Sequence, residues 1–167
     1  MPIWRPAYIG LGSNLQEPRS QVMRAWERLR GLPDTRAVRL SPLYESRPFG
    51  PLAQPDFVNA VAGLLTHLEA RTLFLELKAI EAAFGRQPGP RWGPRIIDMD
   101  LLVYAGEQRA EPDLLLPHPG IVERNFVLYP LSDIAPDLDV PGLGRVSELK
   151  ARLAPEGLWR SEKPERA

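Results

Sequence analysis

The hydrophobic pattern of this chain changes period in a definite order, and that order constrains the fold more than any single residue does. Ala7 to Leu11 reads as a short buried strand, broken by Gly12-Ser13-Asn14. Arg19 to Arg30 carries Val22, Ala25, Trp26 and Leu29 at the spacing of an amphipathic helix, and Gly31 and Pro33 end it. Val38 to Tyr44 alternates as a strand does, with Pro42 marking an edge or a bulge. Phe57 to Leu65 is a further strand. Thr66-His67-Leu68-Glu69 resembles a capping box, with the true helix start at or a few residues after it. That helix runs to Phe84, with Leu73, Leu77, Ile80 and Phe84 along one face and Gly85 as its stop. Ile96 to Tyr104 closes the series as a strand.

Strand, helix, strand, strand, helix, strand predicts an α+β protein with a ferredoxin-like βαββαβ core. The sheet is expected to be mostly antiparallel, with both helices on one face. Glu107 to Leu116 reads as a hairpin return and Pro117 to Gly120 as a turn. Glu123 to Leu131 and Val146 to Leu153 read as short helices of a C-terminal extension. The polar tail from about residue 158 is expected to fray.

At 167 residues the chain is expected to be one domain, 1–167, with a sizeable core. A net charge of zero argues against a general nucleic-acid surface, which needs a basic face. There is no cysteine, which excludes disulfides, and His67 and His118 are the only histidines, which argues against a zinc site of the usual Cys/His kind. The apolar runs are too short to span a membrane, and the N-terminus lacks a signal-peptide core, so the cytoplasm is the expected location.

Chemistry is concentrated in Arg91-Trp92-Gly93-Pro94-Arg95-Ile96-Ile97-Asp98-Met99-Asp100. On a strand, Asp98 and Asp100 share one face, while Ile97, Met99, Leu101 and Val103 are expected to point to the core. Leu102 and Tyr104 continue the aspartate face. Paired carboxylates of this kind suit a hard ion such as Mg2+, which takes further ligands from water and phosphate. Arginines beside them suit phosphate oxygens. A solvated sheet face is the plainer alternative for the same pair. Two proline- and glycine-rich loops, Ser46 to Pro55 and Gly85 to Arg95, have the composition of functional loops. Gly10-Leu11-Gly12-Ser13-Asn14-Leu15 lacks the third glycine of a dinucleotide fingerprint and reads as a tight turn. Walker-type and nucleophile-elbow motifs are absent.

Four blocks occur together and in order: Tyr8 to Leu15, Gln54 to Ala60, Arg91 to Asp100, and Leu116-Pro117-His118 with Arg124-Asn125-Phe126. With these blocks the chain closely resembles the 6-hydroxymethyl-7,8-dihydropterin pyrophosphokinases over roughly residues 5 to 140. The resemblance implies transfer of pyrophosphate from ATP to the pterin hydroxymethyl group, releasing AMP, in folate biosynthesis by a monomeric enzyme. It implies that Asp98 and Asp100 hold two Mg2+ ions, with Asp98 also near the pterin. It implies ATP contacts from Arg86, Arg95, Leu101, His118 and Arg124, with Arg86 and Arg95 in the catalytic set. Pterin contacts are implied for Ser46, Phe49, Gly50, Phe57, Asn59, Trp92 and Phe126, with Phe57 and Phe126 stacking on the ring and Asn59 reading its amide-like edge. Glu81 matches an acid on the second helix that orients neighbouring groups. Without the resemblance, Phe57 and Phe126 read as core, His118 as a turn residue and Arg124 as a solvated helix residue.

Departures from the family pattern accompany these matches. Gln87-Pro88-Gly89-Pro90 stands where some members carry basic residues, Pro119 replaces an aromatic, and Phe57 lacks a tyrosine hydroxyl. The rival reading from another class is a non-catalytic ferredoxin-like module binding nucleotide or RNA, which needs exposed sheet aromatics and a basic surface. An ordinary kinase, transferring only the γ-phosphoryl group, is the rival enzyme.

Overall fold

The computed structural model describes residues 3–48, 50–85 and 94–161. The elements run β1 (Arg5–Ser13), α1 (Pro18–Arg30), β2 (Thr35–Leu40), β3 (Tyr44–Ser46), β4 (Phe57–Thr66), α2 (Ala70–Ala83) and β5 (Asp98–Tyr104). A hairpin of β6 (Arg109–Glu111) and β7 (Leu114–Leu116) follows, then a 3-10 turn at Ile121–Glu123 and α3 (Asn125–Ile134). The chain continues through β8 (Asp139–Val140), β9 (Gly144–Arg145), α4 (Val146–Ala151) and β10 (Leu158–Arg160).

The main sheet has the strand order β10-β3-β4-β1-β5, and β2 pairs with the far end of β4. Every pairing in it is antiparallel. Period two along β1 and β4 sends Ala7, Ile9, Leu11, Val58, Ala60, Ala62 and Leu64 to one face. There they meet Val22, Ala25 and Leu29 of α1 and Leu73, Leu77 and Ile80 of α2. This is the expected ferredoxin-like arrangement. The C-terminal extension does something further: α3 and α4 cover part of the opposite face, packing Val127, Leu128, Leu131, Val146 and Leu149 on Val61, Leu102 and Val103. Gly63 lies under this layer, where a Cβ would meet Tyr8 and Ile134 at ordinary contact distances of 3.4 and 3.6 Å.

Several expectations are corrected. Val38 to Tyr44 is not one strand but two, separated at Ser41–Leu43. Pro42 has no N–H to donate to the ladder, and Ser41 completes the junction by accepting the Val61 N–H on its hydroxyl at 2.9 Å. The helix begins at Ala70, with Glu69 as its cap accepting from Arg71 N–H, while Thr66 accepts from Leu68 N–H. In β5 the alternation breaks. Tyr8 pairs with Val103 and Ile9 pairs with Leu101, so Leu102 is an extra residue in a bulge. Leu102 and Val103 therefore both face α3, and Tyr104 crosses to the α1/α2 side, where its hydroxyl donates to the Leu68 carbonyl. The frayed tail does not begin at residue 158, because Leu158–Arg160 pair with β3 and Leu158 is buried. Among the described residues no helix is long and apolar enough to cross a membrane.

Candidate active site

Beside the N-terminal end of α3 part of the second sheet face stays open, and the site is built there. Gly10 pairs with Asp100 and Gly12 with Asp98, so each aspartate has a glycine beside it on the same face. Gly12 in turn pairs with Asn59, and a Cβ on Gly12 would stand 3.1 Å from the Asn59 Oδ1. The two glycines thus keep a floor free of side chains between the carboxylates and β4. This space belongs to a cavity of about 320 Å³ lined by Phe57, Asn59, Arg95, Asp98, Asp100 and His118, and also by Arg124 and Phe126.

Each wall has its own support. Asn59 is buried, and its amide donates to the Ser46 hydroxyl at 2.7 Å, which holds β3 and β4 in register at the cavity edge. Phe57 opens β4, while Phe126 lies in the first turn of α3, so the two rings enter from sheet and helix layers. Arg95 precedes β5, with its Nε 3.8 Å from the Asp98 carboxylate. Asn14, buried at the end of β1, holds the Arg95 backbone on both sides: Asn14 N–H donates to the Arg95 carbonyl at 3.0 Å, and Arg95 N–H donates to Asn14 Oδ1 at 2.9 Å. The Asn14 amide also donates to Gln54 and to the Pro55 carbonyl. One buried asparagine thereby joins the loop before β4 to the arginine before β5.

His118 Nδ1 accepts the Gly120 N–H at 3.1 Å, so a neutral ring carries its proton on Nε2. Burial holds the imidazole below its ordinary value of 6.5; Asp100 opposes this, while Arg124 and Lys78 reinforce it. Gly120 also makes room for Arg124, whose guanidinium would clash with a Cβ there. A second cavity of about 240 Å³ adjoins, lined by Phe74, Lys78, Asp100, Leu101, His118, Pro119 and the β6–β7 hairpin from Pro112 to Leu115.

The structure therefore brings together Ser46, Phe57, Asn59, Arg95, Asp98, Asp100, His118, Arg124 and Phe126. Leu101 is buried on the α1/α2 side and lines the second cavity only. Gly50 is not brought in: it occupies an exposed turn with φ 87° and does not line the cavity. Phe49, Arg86, Arg91, Trp92 and the Gln87–Pro90 departure lie outside the described residues. Glu81 is buried and reaches β5, its Oε2 accepting the Met99 N–H at 2.6 Å. Sequence reasoning missed Arg47 and Lys78, which line the cavity, and the floor role of Gly10 and Gly12. The signal for Lys78 was present in its i, i+3 spacing to the buried Glu81 and its i, i−4 spacing to Phe74.

Among the described residues no cluster of three or more metal-ligating side chains exists. Two carboxylates on one face, both partly exposed, fit an ion that keeps most of its positions for water and phosphate. The donor set suits Mg2+ and does not suit a closed structural site.

A ferredoxin-like sheet carrying paired carboxylates beside an aromatic slot and a cationic wall defines a phosphoryl-transfer class of protein. The family profile described as 7,8-dihydro-6-hydroxymethylpterin-pyrophosphokinase matches residues 8–136, and the chain belongs to that family. It is 49% identical over 154 residues to the 2-amino-4-hydroxy-6-hydroxymethyldihydropteridine pyrophosphokinase of Pseudomonas aeruginosa, covering 92% of this chain and 94% of the relative. The protein of the same description from Methylorubrum extorquens is 43% identical, covering 93% of this chain and 98% of the relative. Among solved structures, Plasmodium falciparum HPPK-DHPS with SDX-DHP superposes with a TM-score of 0.68 over 90% of this chain at 13% identity. The chain spans 44% of that longer protein, and the likeness is one of fold.

Proposed function

We infer that this chain transfers the pyrophosphoryl group of ATP to the hydroxymethyl oxygen of 6-hydroxymethyl-7,8-dihydropterin, giving AMP and the pterin diphosphate in folate biosynthesis. The observation that carries the reading is that Asp98 and Asp100 line one cavity together with Phe57, Asn59 and Phe126 and with the cationic and imidazole groups of Arg124 and His118. Family membership supplies the substrates.

Phe57 and Phe126 supply apolar faces for a flat ring, and Asn59 supplies a donor and an acceptor for its polar edge. With Ser46 accepting one Asn59 N–H, the amide oxygen and the other N–H keep a defined orientation. Asp98 and Asp100 are the residues that would hold Mg2+, two ions in this proposal. When bound, the metal neutralises phosphate charge and aligns the in-line displacement. Arg95 and Arg124 place positive charge against the phosphates, and neutral His118 offers an Nε2–H donor to the nucleotide. The hydroxymethyl oxygen bonds to the β-phosphorus as the bond to the α,β-bridging oxygen breaks; the hydroxyl proton passes to water and the bridging oxygen leaves on AMP. The residues accelerate this step by positioning and charge stabilisation. The proposal extends to a monomeric, cytoplasmic enzyme, with Arg86, Trp92 and Phe49 contributing from the two loops.

Incubation with Mg-ATP and the hydroxymethyl-dihydropterin, followed by nucleotide analysis, tests the assignment. AMP stoichiometric with pterin diphosphate is expected. ADP with a pterin monophosphate would identify an ordinary kinase instead.

A further inference from the structure

The groups assigned to the pterin come from two layers of the fold. Ser46, Phe57 and Asn59 belong to the sheet, and Phe126 belongs to the first turn of α3. Residues 153–161 touch both layers. On the helix side, the partly buried Asn125, next to Phe126, donates its amide to the carbonyls of Ala154 at 3.0 Å and Glu156 at 2.9 Å. One turn further along α3, the Tyr129 hydroxyl donates to the Leu153 carbonyl at 2.7 Å. On the sheet side, the Arg47 N–H donates to the Gly157 carbonyl at 3.0 Å, and the Ser161 N–H donates to the Leu43 carbonyl at 2.9 Å. Between these two bonds Leu158 pairs with Ser46, which pairs in turn with Phe57.

The two sets of anchors meet at a tight turn. The Leu158 N–H donates to the Pro155 carbonyl at 3.2 Å, and Gly157, the third residue of that turn, has φ 69°. Glycine takes this conformation without steric cost, asparagine tolerates it, and a β-branched residue does not. A Cβ on Gly157 would meet the Arg47 side chain only at ordinary contact distances, from 3.7 Å, so the backbone rather than space calls for glycine. The adjacent carbonyls of Glu156 and Gly157 are thus held by α3 and by β3 respectively. No slack residue separates the two attachments.

We propose that Asn125 and Gly157 are positioning residues for the pterin, and that residues 153–161 form a strap fixing Phe126 against the wall built by Ser46 and Phe57. The proposal rests on reading Phe57 and Phe126 as the pterin slot. A flat ring gains most from two apolar faces when their spacing is set before it binds. Arg124, in contrast, is held from within its own segment. Its N–H donates to the Ile121 carbonyl at 3.4 Å, and its carbonyl accepts the N–H groups of Val127 and Leu128, both at 3.0 Å. Releasing the strap therefore reaches the pterin and spares the nucleotide.

The test uses the full chain carrying Asn125→Ala, which removes both amide donors, or Gly157→Val, which opposes the turn from within the strap. Gly157→Asn is the conservative control. Calorimetry in Mg2+ measures a nonhydrolysable ATP analogue alone, and then 6-hydroxymethyl-7,8-dihydropterin with the analogue present. Misplacing one ring is expected to weaken pterin binding about threefold to tenfold in Asn125→Ala and Gly157→Val, and to leave the analogue's affinity unchanged. Gly157→Asn should bind the pterin as the unaltered chain does. A strap that serves stability alone lowers the thermal midpoint without separating the two ligands. Unchanged pterin affinity in either disruptive variant, or equal losses for both ligands, would overturn the positioning role. If Gly157→Val does not fold, Asn125→Ala decides. If the unaltered protein binds the analogue but not the pterin, the pterin reading itself fails and the strap's role falls with it.

Discussion

The Glu81 carboxylate accepts the backbone N–H of Met99 at 2.6 Å, and Met99 stands between Asp98 and Asp100. Helix α2 thus fixes the strand segment that presents the carboxylate pair. Glu81→Ala would leave a buried N–H without its acceptor, costing about 1–3 kcal/mol. It should also lower turnover at least about tenfold, because small displacements of a phosphate clamp are costly. Glu81→Gln keeps an acceptor oxygen and should lose much less of both. Urea unfolding and steady-state rates measure the two effects; an alanine variant with unchanged rates would uncouple α2 from the site.

Asp98→Ala and Asp100→Ala are each expected to reduce turnover by at least about a hundredfold, as the loss of an electrostatic partner in a preorganised site does. The fold should survive, because Ile97, Met99 and Leu101 supply the buried face of this segment. Titration with Mg2+ checks the metal role. Near-normal rates in either variant at saturating Mg2+ would remove it.

Phe57→Ala and Phe126→Ala should weaken pterin binding much more than ATP binding. Each loses one apolar face of the slot, worth on the order of 1 kcal/mol beyond the lost area. Calorimetry with each substrate separates the cases, and equal losses for both would make the rings part of the core alone.

Tyr44 provides a pH-dependent prediction away from the chemistry. Its buried hydroxyl donates to Asp133, and Arg160 lies 3.3 Å from the same carboxylate, so β3, α3 and β10 are tied together. Burial first, then the bond to Asp133, raises Tyr44 above its ordinary value of 10.0, while Arg160 opposes the rise. The folded state therefore holds this proton more tightly than the unfolded state. The resulting stability is complete below pH 10.0 and is lost as pH rises through the higher native value. Tyr44→Phe should cost about 0.5–1.5 kcal/mol at neutral pH. Urea unfolding should show that gap narrowing in buffers above about pH 10, and a constant gap would exclude a titration at this residue.

The element order was legible because α1, β1, β4 and α2 each bury one face in solvent-excluded contact with the next layer, and that leaves a period in the sequence. Leu73, Leu77 and Ile80 on α2 and Ala7, Ile9 and Leu11 on β1 show it plainly. Asp98 and Asp100 were legible for the same reason, since two residues of spacing on a strand means one face. Tertiary structure decided what depends on neighbours distant in the chain. The β5 bulge, which turns Val103 toward α3 and sends Tyr104 to the other side, is a matter of pairing register with β1 and leaves no local mark. The placing of α3 and α4 on the second face rests on Val127, Leu128, Leu131, Val146 and Leu149 meeting Val61, Leu102 and Val103, and the pairing of β10 with β3 draws a short strand from a polar tail. Lys78 and Glu81 acquired their places through a helix packed against the edge of β5, where an unpaired strand N–H needed an acceptor. A side chain's direction follows from local backbone geometry, but the partner it meets is set only when separate elements bury their faces together.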